Sequence, residues 1–348
     1  MARKLFVHCG LHKTATTALQ AAFSNNSEKM HSMGLLYPRT GRLSDVSGHH
    51  NIAWQLARDR RFNRSFGTLD RLFDEVSSFD GDVVLSSEDF ESSLTRPERW
   101  DPLLQMAERC NLEPVAIIYL RNQASYLESL YLEMLKHGFG EEFSNYAMDV
   151  LSNGSLRLKE WIFHFDYVIA LRTMSSIPGL RIVLRNYDAC ANGSIAADFL
   201  NAVDIVKPIH IEVPHANQRD TLVDALTNFY RNRVERPLQE NEIAAVHHLC
   251  SHVSEQPAIS RNLRDALRER FSTSNLEICN AHELNRVRLT DFSHREPLTR
   301  SVCMERVFSF ETHVSLSTVA AILDGNLPEP GPGLHTTVEN WSAWVHAQ

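Results

Sequence analysis

The sequence predicts an α/β chain, an open parallel sheet flanked by helices and followed by a mainly helical C-terminal part. Two observations carry this expectation. The apolar runs LFVHC (5–9), DVVLSS (82–87), VAIIYL (115–120) and RIVLRNY (181–187) are rich in β-branched residues and mostly continuous, the pattern of strands buried on both faces. The segments between them are long and helical in periodicity, so successive strands should run parallel, joined by right-handed crossovers.

Taken in order, the first helix follows LFVHC, with Ala15, Ala18, Leu19, Ala22 and Phe23 on one face and an end near Gly34. After VAIIYL, the residues Ala124, Leu127, Leu130, Tyr131, Met134 and Leu135 mark a helix of about four turns that stops around Gly138. Leu156, Leu158, Trp161, Ile162 and Phe165 predict a further helix over 155–175. Beyond about residue 205 the strand signals fade, and QRDTLVDALTNFYRNRV, NEIAAVHHLCSHV and RNLRDALRERF have the look of helices. DGNLPEPGPGLHTT (324–337) has the proline and glycine content of a loop. The expected organisation is an α/β core over 1–205, a helical part packed on it over 206–323, and a loop or tail over 324–348.

With 348 residues, 43% of them hydrophobic, the chain can bury a substantial core. A formal net charge of -8 argues against nucleic acid or an anionic membrane as the main partner, because such proteins carry a basic excess. Any polyanion must then find a local basic pocket. The basic stretch ARDRRFNR (57–64) reads as a solvated helix face, with contact to an anionic carbohydrate as the other option. The six cysteines are scattered, with no CxxC pair and no histidine at zinc-ligand spacing, which suits a reducing compartment. MARKLFVHCG contains too short an apolar run for a signal peptide, and no later run approaches a membrane span. The chain reads as soluble and cytoplasmic, without an integral membrane segment.

The stretch LFVHCGLHKTATTALQ (5–20) reads as strand, loop and helix. The first turn of such a helix leaves N–H groups pointing at the loop, and the helix dipole adds positive charge there, so an anion is stabilised twice. Lys13 adds a full charge, Thr14, Thr16 and Thr17 add hydroxyl and amide donors, and Gly10 allows close backbone approach. The nucleoside-triphosphate form of this loop needs a glycine directly before the lysine, whereas His12 stands there. That disfavours a small-molecule kinase, ATPase or GTPase, and SSEDF after the second strand supplies no obvious magnesium aspartate.

At this point the chain resembles the sulfotransferases that use 3′-phosphoadenosine-5′-phosphosulfate (PAPS), in the form met in bacterial members. GLHKTATTALQ is similar to the family's 5′-phosphosulfate loop, with Lys13, Thr14, Thr16 and Thr17 matching and Ala15 where glycine is usual. VAIIYLRNQASYLESLY (115–131) is similar to its 3′-phosphate motif, through Arg121 and Ser129. RIVLRNYDA resembles its later strand, which sets Tyr187 near the adenine. RERFSTSNLEI resembles the C-terminal helix of bacterial members. The resemblance covers residues 4 to about 205 well and the remainder loosely. It implies a P-loop-type fold, PAPS as co-substrate, adenosine 3′,5′-bisphosphate as product and no metal.

Sulfuryl transfer needs an acceptor oxygen in line with sulfur, charge stabilisation on the leaving phosphate, and a base. Lys13 suits the leaving phosphate, and His12 is placed to contact the sulfate end or simply to form the turn. Glu88, at the end of the second strand where ligands collect in open α/β sheets, is the first choice of base. Its other reading is a helix cap or an ion pair with Arg96. His50 and its neighbour His49 follow, with a pKa suited to proton transfer near neutrality. The acceptor can be a small molecule, a carbohydrate or a lipid; nothing in the sequence names it or fixes an oligomeric state. Besides the kinase, a nucleotide-binding fold without chemistry remains an alternative.

Overall fold

Among the described residues four strands form where the apolar runs predict them, at 3–8, 82–86, 112–120 and 181–186, and three shorter ones form outside those runs. They are β1 (Arg3–His8), β2 (Leu35–Leu36), β3 (Asp82–Ser86), β4 (Leu112–Leu120), β5 (Ser155–Leu158), β6 (Trp161–His164) and β7 (Arg181–Asn186). The helices used below are α1 (Thr16–Asn25), α2 (His50–Ala57), α3 (Leu69–Ser77), α4 (Asp101–Arg109), α5 (Gln123–Lys136), α6 (Phe143–Asn153), α7 (Tyr167–Ser175), α8 (Ile195–Ala202), α9 (Leu222–Val234), α10 (Glu240–Cys250), α11 (Arg261–Ala281), α12 (Phe310–Leu323) and α13 (Leu334–His346). This computed structural model describes residues 2–190, 195–204, 221–253, 257–282, 302–324 and 334–346.

Five strands make one parallel sheet in the order β2-β3-β1-β4-β7. β1 is central, with Leu5, Phe6 and Val7 fully buried, and pairs in register with both β3 (Phe6 opposite Val84) and β4 (Phe6 opposite Val115). Because the chain leaves β1 with β3 on one side and β4 on the other, the strand order reverses there, which is where open α/β sheets bind ligands. On one face Phe6, Val84, Ile117 and Tyr119 pack with Leu19, Ala22 and Phe23 of α1 and with Phe199 of α8. Each of the Val, Leu, Ile and Phe side chains among them contributes roughly 1.5–3 kcal/mol on burial, so α1 and the loop before it are fixed by the sheet.

The chain divides into two compact units. One comprises Met1–Asn122, Gly154–Asn217 and Phe271–Asp291 and contains the sheet; the other comprises Gln123–Asn153, Gln218–Arg270 and Phe292–Gln348. The units therefore interleave along the sequence, whereas a sequential boundary at 205 was expected. In the second unit an aromatic core forms around Tyr131, whose ring centroid lies 4.9 Å from Phe143, 5.3 Å from Tyr146 and 5.2 Å from Phe308.

Three expectations need correction. Residues 155–164 form the antiparallel hairpin β5–β6, with Leu158 opposite Trp161, and only Tyr167–Ser175 is helical. Lys159 takes the left-handed conformation (φ 53°) that reverses the chain there. Residues 334–346, expected as tail, form α13, which buries Val338, Trp341 and Val345. The basic stretch 57–64 is not a helix face. α2 ends at Ala57, Arg58 is a left-handed C-cap, and Arg60 pairs with Glu160 at 2.6 Å. Among the described residues no helix is long and apolar enough to cross a membrane.

Candidate active site

The loop after β1 starts from a buried anchor: Cys9 N–H donates to the Ile117 carbonyl at 2.9 Å, prolonging the β4 pairing. Thr14, fully buried, closes the loop by donating its hydroxyl to the Leu11 carbonyl at 2.6 Å. On either side of it Lys13 (φ 63°) and Ala15 (φ 58°) are left-handed. Alternation of this kind turns successive N–H groups to one side and forms a concavity for an anion. α1 begins directly behind it at Thr16, with no side-chain cap and no acidic residue in its first turn. The open amides and the helix dipole thus face the loop without competition. Thr16 is buried and Thr17 exposed. Gly10 is required by packing, since a Cβ there would lie 2.6 Å from Thr16 Cγ2 and 3.0 Å from His8 Nε2.

Arg121, at the end of β4, reaches this loop. Its Nη1 donates to the Lys13 carbonyl at 2.6 Å, and its guanidinium lies 5.2 Å from the Tyr187 ring centroid. Its Nε is buried without a hydrogen-bond partner among the described residues. The Tyr167 hydroxyl holds the Arg121 carbonyl at 2.6 Å, and Asp188 accepts the Asn122 N–H at 2.7 Å. Lys13, Arg121 and Tyr187, far apart in sequence, therefore meet at the C-terminal edge of the sheet. Ser129, the other residue of the expected 3′-phosphate motif, is half-buried on α5 in the second unit.

The end of β3 carries a dense polar cluster. Ser87 caps the 3₁₀ turn Glu88–Ser93 through its Oγ, which accepts the Asp89 N–H. Glu88 is bound to α1, where Gln20 Nε2 donates to Glu88 Oε2 at 2.9 Å. His50, at the start of α2, sets Nδ1 at 2.9 Å from Asp89 Oδ2 and 3.0 Å from Ser87 Oγ. Its Nε2 lies beside Gln20, in a space kept open by Gly48: a Cβ there would fall 2.5 Å from Nε2 and 2.7 Å from Gln20 Oε1. Serine and aspartate share one ring nitrogen, which excludes a relay in which His50 activates Ser87 against Asp89.

Burial works against a proton on His50, but the charges of Glu88 and Asp89 outweigh it and raise the pKa above the usual histidine value. Burial likewise opposes the charge on Asp89, yet His50, Arg61 and His12 hold it ionised, with a pKa of about 2. Trp161 Nε1 donates to Asp89 at 2.9 Å and Arg61 Nη2 at 3.3 Å. Arg61 sits between the Trp54 and Trp161 rings, 4.8 Å from each.

Three further histidines near the loop, His12, His49 and His8, are bound to neighbouring groups. His12 is held by Glu91, which accepts from its backbone N–H at 3.0 Å and lies 2.8 Å from its Nδ1. Glu91 also takes the His164 N–H at 2.8 Å, stapling the loop to the β5–β6 hairpin. Burial opposes a proton on His12, and the bond to Glu91 with the surrounding carboxylates outweighs it, so its pKa rises. His49 accepts the Ser86 N–H at Nδ1 (3.1 Å) and donates from Nε2 to the Pro38 carbonyl (3.0 Å). Burial lowers its pKa to about 3, and both nitrogens are committed. His8 is buried and neutral by the same cause, again at about 3, with Nδ1 2.8 Å from Ser86 Oγ. Its Nε2 lies under the loop without a partner among the described residues.

Sequence reasoning missed Gln20, Asp89, Glu91, His8 and Arg61. The acid-rich SSEDFESS was a signal for the first cluster, and Gln20 stands four residues after Thr16 on the same helix face. No family model matches the chain, and no curated protein and no solved structure is significantly similar to it.

Proposed function

We propose that the chain transfers the sulfuryl group of PAPS to a hydroxyl or amine of an acceptor. The observation that carries this is that Arg121, with the Tyr187 ring against its guanidinium, bonds the Lys13 carbonyl of a left-handed loop at the point where the strand order reverses. A triphosphate loop has no use for an arginine from β4 that grips the lysine's own backbone and keeps a buried N–H in reserve. A nucleotide with a separate 3′-phosphate does, because a guanidinium fork matches a phosphate.

In this mechanism the acceptor oxygen attacks sulfur in line as the bond from sulfur to the bridging phosphate oxygen breaks. Lys13, the loop amides and the α1 dipole stabilise the charge that develops on the leaving phosphate. Glu88, oriented by Gln20, takes the acceptor's proton. His50 is the alternative carrier, since Asp89 fixes its Nδ1 and leaves Nε2 beside Gln20. No step requires a metal. The kinase alternative predicts magnesium-dependent transfer from ATP. A binding protein without chemistry predicts no transfer at all.

Labelled PAPS tests this directly. Wild-type protein should release adenosine 3′,5′-bisphosphate and label an acceptor in chelator, and Lys13→Ala should abolish both. Glu88→Gln should lower kcat by roughly 10²–10⁴-fold if Glu88 carries the proton. If His50 carries it instead, His50→Gln has that effect. The rate must then climb as pH rises through the raised His50 pKa, because only the neutral ring accepts a proton.

A further inference from the structure

A groove opens where the segment after β2 passes over α3. Its volume is about 740 Å³, and its lining includes Arg39, Arg42, Phe66 and Arg71 together with Asp74 and Glu75. That volume falls in the range of roughly 300–1,000 Å³ typical of small-molecule sites. The charges are not balanced in place. Both oxygens of Glu75 are used to hold the segment, accepting the backbone N–H groups of Arg39 (2.7 Å) and Thr40 (3.0 Å). Arg42 is pinned by a 2.9 Å bond to Ser24 Oγ and lies 5.5 Å from the Tyr37 ring centroid. Among the described residues the guanidinium groups of Arg39 and Arg71 make no hydrogen bond or ion pair, and both residues are exposed. The groove thus holds three arginines against two carboxylates, an excess of one positive charge, with Glu75 committed to the segment and Asp74 exposed. In a chain with a net charge of -8, this is a local basic pocket.

The groove is connected to the reactive cluster through two walls. Ser24, which anchors Arg42, is four residues beyond Gln20 on α1, about 6 Å along the axis. On the other wall the Tyr37 hydroxyl holds the Ser47 carbonyl at 2.8 Å, next to the Gly48 that clears space at His50 Nε2. Arginine forks bind planar or tetrahedral oxyanions through paired, charge-assisted hydrogen bonds. We propose that this groove seats an oxyanion of the acceptor, a carboxylate or sulfate borne by the molecule whose hydroxyl reaches Glu88 and His50. The acceptor side rests on the sulfuryl-transfer mechanism above; the anion site itself does not.

Sucrose octasulfate is a suitable probe and sucrose its uncharged control, with binding measured by calorimetry in saturating adenosine 3′,5′-bisphosphate to fill the β1 loop. The octasulfate should bind and sucrose should not. The double variant Arg39→Gln/Arg71→Gln, which alters only exposed side chains, should bind the octasulfate at least tenfold more weakly while its thermal unfolding is unchanged. Arg172→Gln, an exposed arginine paired with Glu277 on another face of the unit, should bind like wild type. The proposal is overturned if the wild type ignores the probe or if the double variant binds it as tightly as wild type. Should the bisphosphate itself fail to bind while octasulfate binding still depends on Arg39 and Arg71, the donor assignment falls and the anion site stands.

Discussion

Ala15 occupies a backbone conformation that disfavours any side chain. Its φ of 58° is left-handed, which explains why glycine is usual at the matching position of the loop it resembles. A Cβ there costs about 1–2 kcal/mol, and glycine would return part of that through a more disordered unfolded chain. Ala15→Gly should therefore stabilise the protein by about 1 kcal/mol, read as a higher urea midpoint, without weakening nucleotide binding. Buried His8 and His49 contribute to the acid limb of stability, beside carboxylates such as Asp89 whose pKa is lowered. His8 and His49 have folded pKa values of about 3, below the ordinary 6.5, so the unfolded state binds more protons between those values. Their contribution is complete above pH 6.5 and is lost as pH falls through that window, by up to about 1.4 kcal/mol per pH unit for each. His12 and His50, with raised values, act in the opposite sense. Their stabilisation is complete below 6.5 and is lost as pH rises through the folded pKa. Urea titrations at pH 5 and 7.5 should show His49→Gln with a shallower acid loss than wild type. At pH 7.5 it should be weaker by about 1–3 kcal/mol, because the Ser86 N–H and Pro38 carbonyl lose their partner.

The four long strands were legible because each is a short β-branched run followed by helical periodicity, and Gly138 follows the end of α5 with a left-handed backbone as expected, whereas the first helix, expected to run to near Gly34, ends at Asn25. The β5–β6 hairpin was not, for a physical reason. Leu156, Leu158, Trp161 and Ile162 fit a helical face as well as a strand, and only the turn at Lys159 decides between them. α13 was hidden by the proline and glycine residues before it, although Val338, Trp341 and Val345 have helical spacing. β2, with two residues, carries too little pattern to be seen. The β1 loop was legible in composition but not in its tightness. Gly10→Ala should destabilise the protein by about 1–3 kcal/mol, because the new methyl meets Thr16 Cγ2 at 2.6 Å between fixed elements. The same substitution should weaken binding of adenosine 3′,5′-bisphosphate, whereas Ala15→Gly should not.

Across the chain, the sheet order decides which residues can cooperate. With β1 between β3 and β4, the loop of Lys13, the cluster of Glu88 and the fork of Arg121 open at one edge of one sheet. The sequence could name these residues separately; the contacts that unite them, Arg121 to the Lys13 carbonyl and Gln20 to Glu88, arise only from the fold. The acid cluster was only half visible, since the partners of Asp89 come from α2, from β6 and from the loop holding Arg61. Calorimetric titration with adenosine 3′,5′-bisphosphate and with adenosine 5′-monophosphate, both in chelator, compares nucleotides that differ only in the 3′-phosphate. The bisphosphate should bind at least tenfold more tightly, and Arg121→Ala should erase most of that difference. Equal affinity for the two nucleotides, or tighter binding of ATP with magnesium, would contradict the assignment of Arg121 and with it the proposed donor.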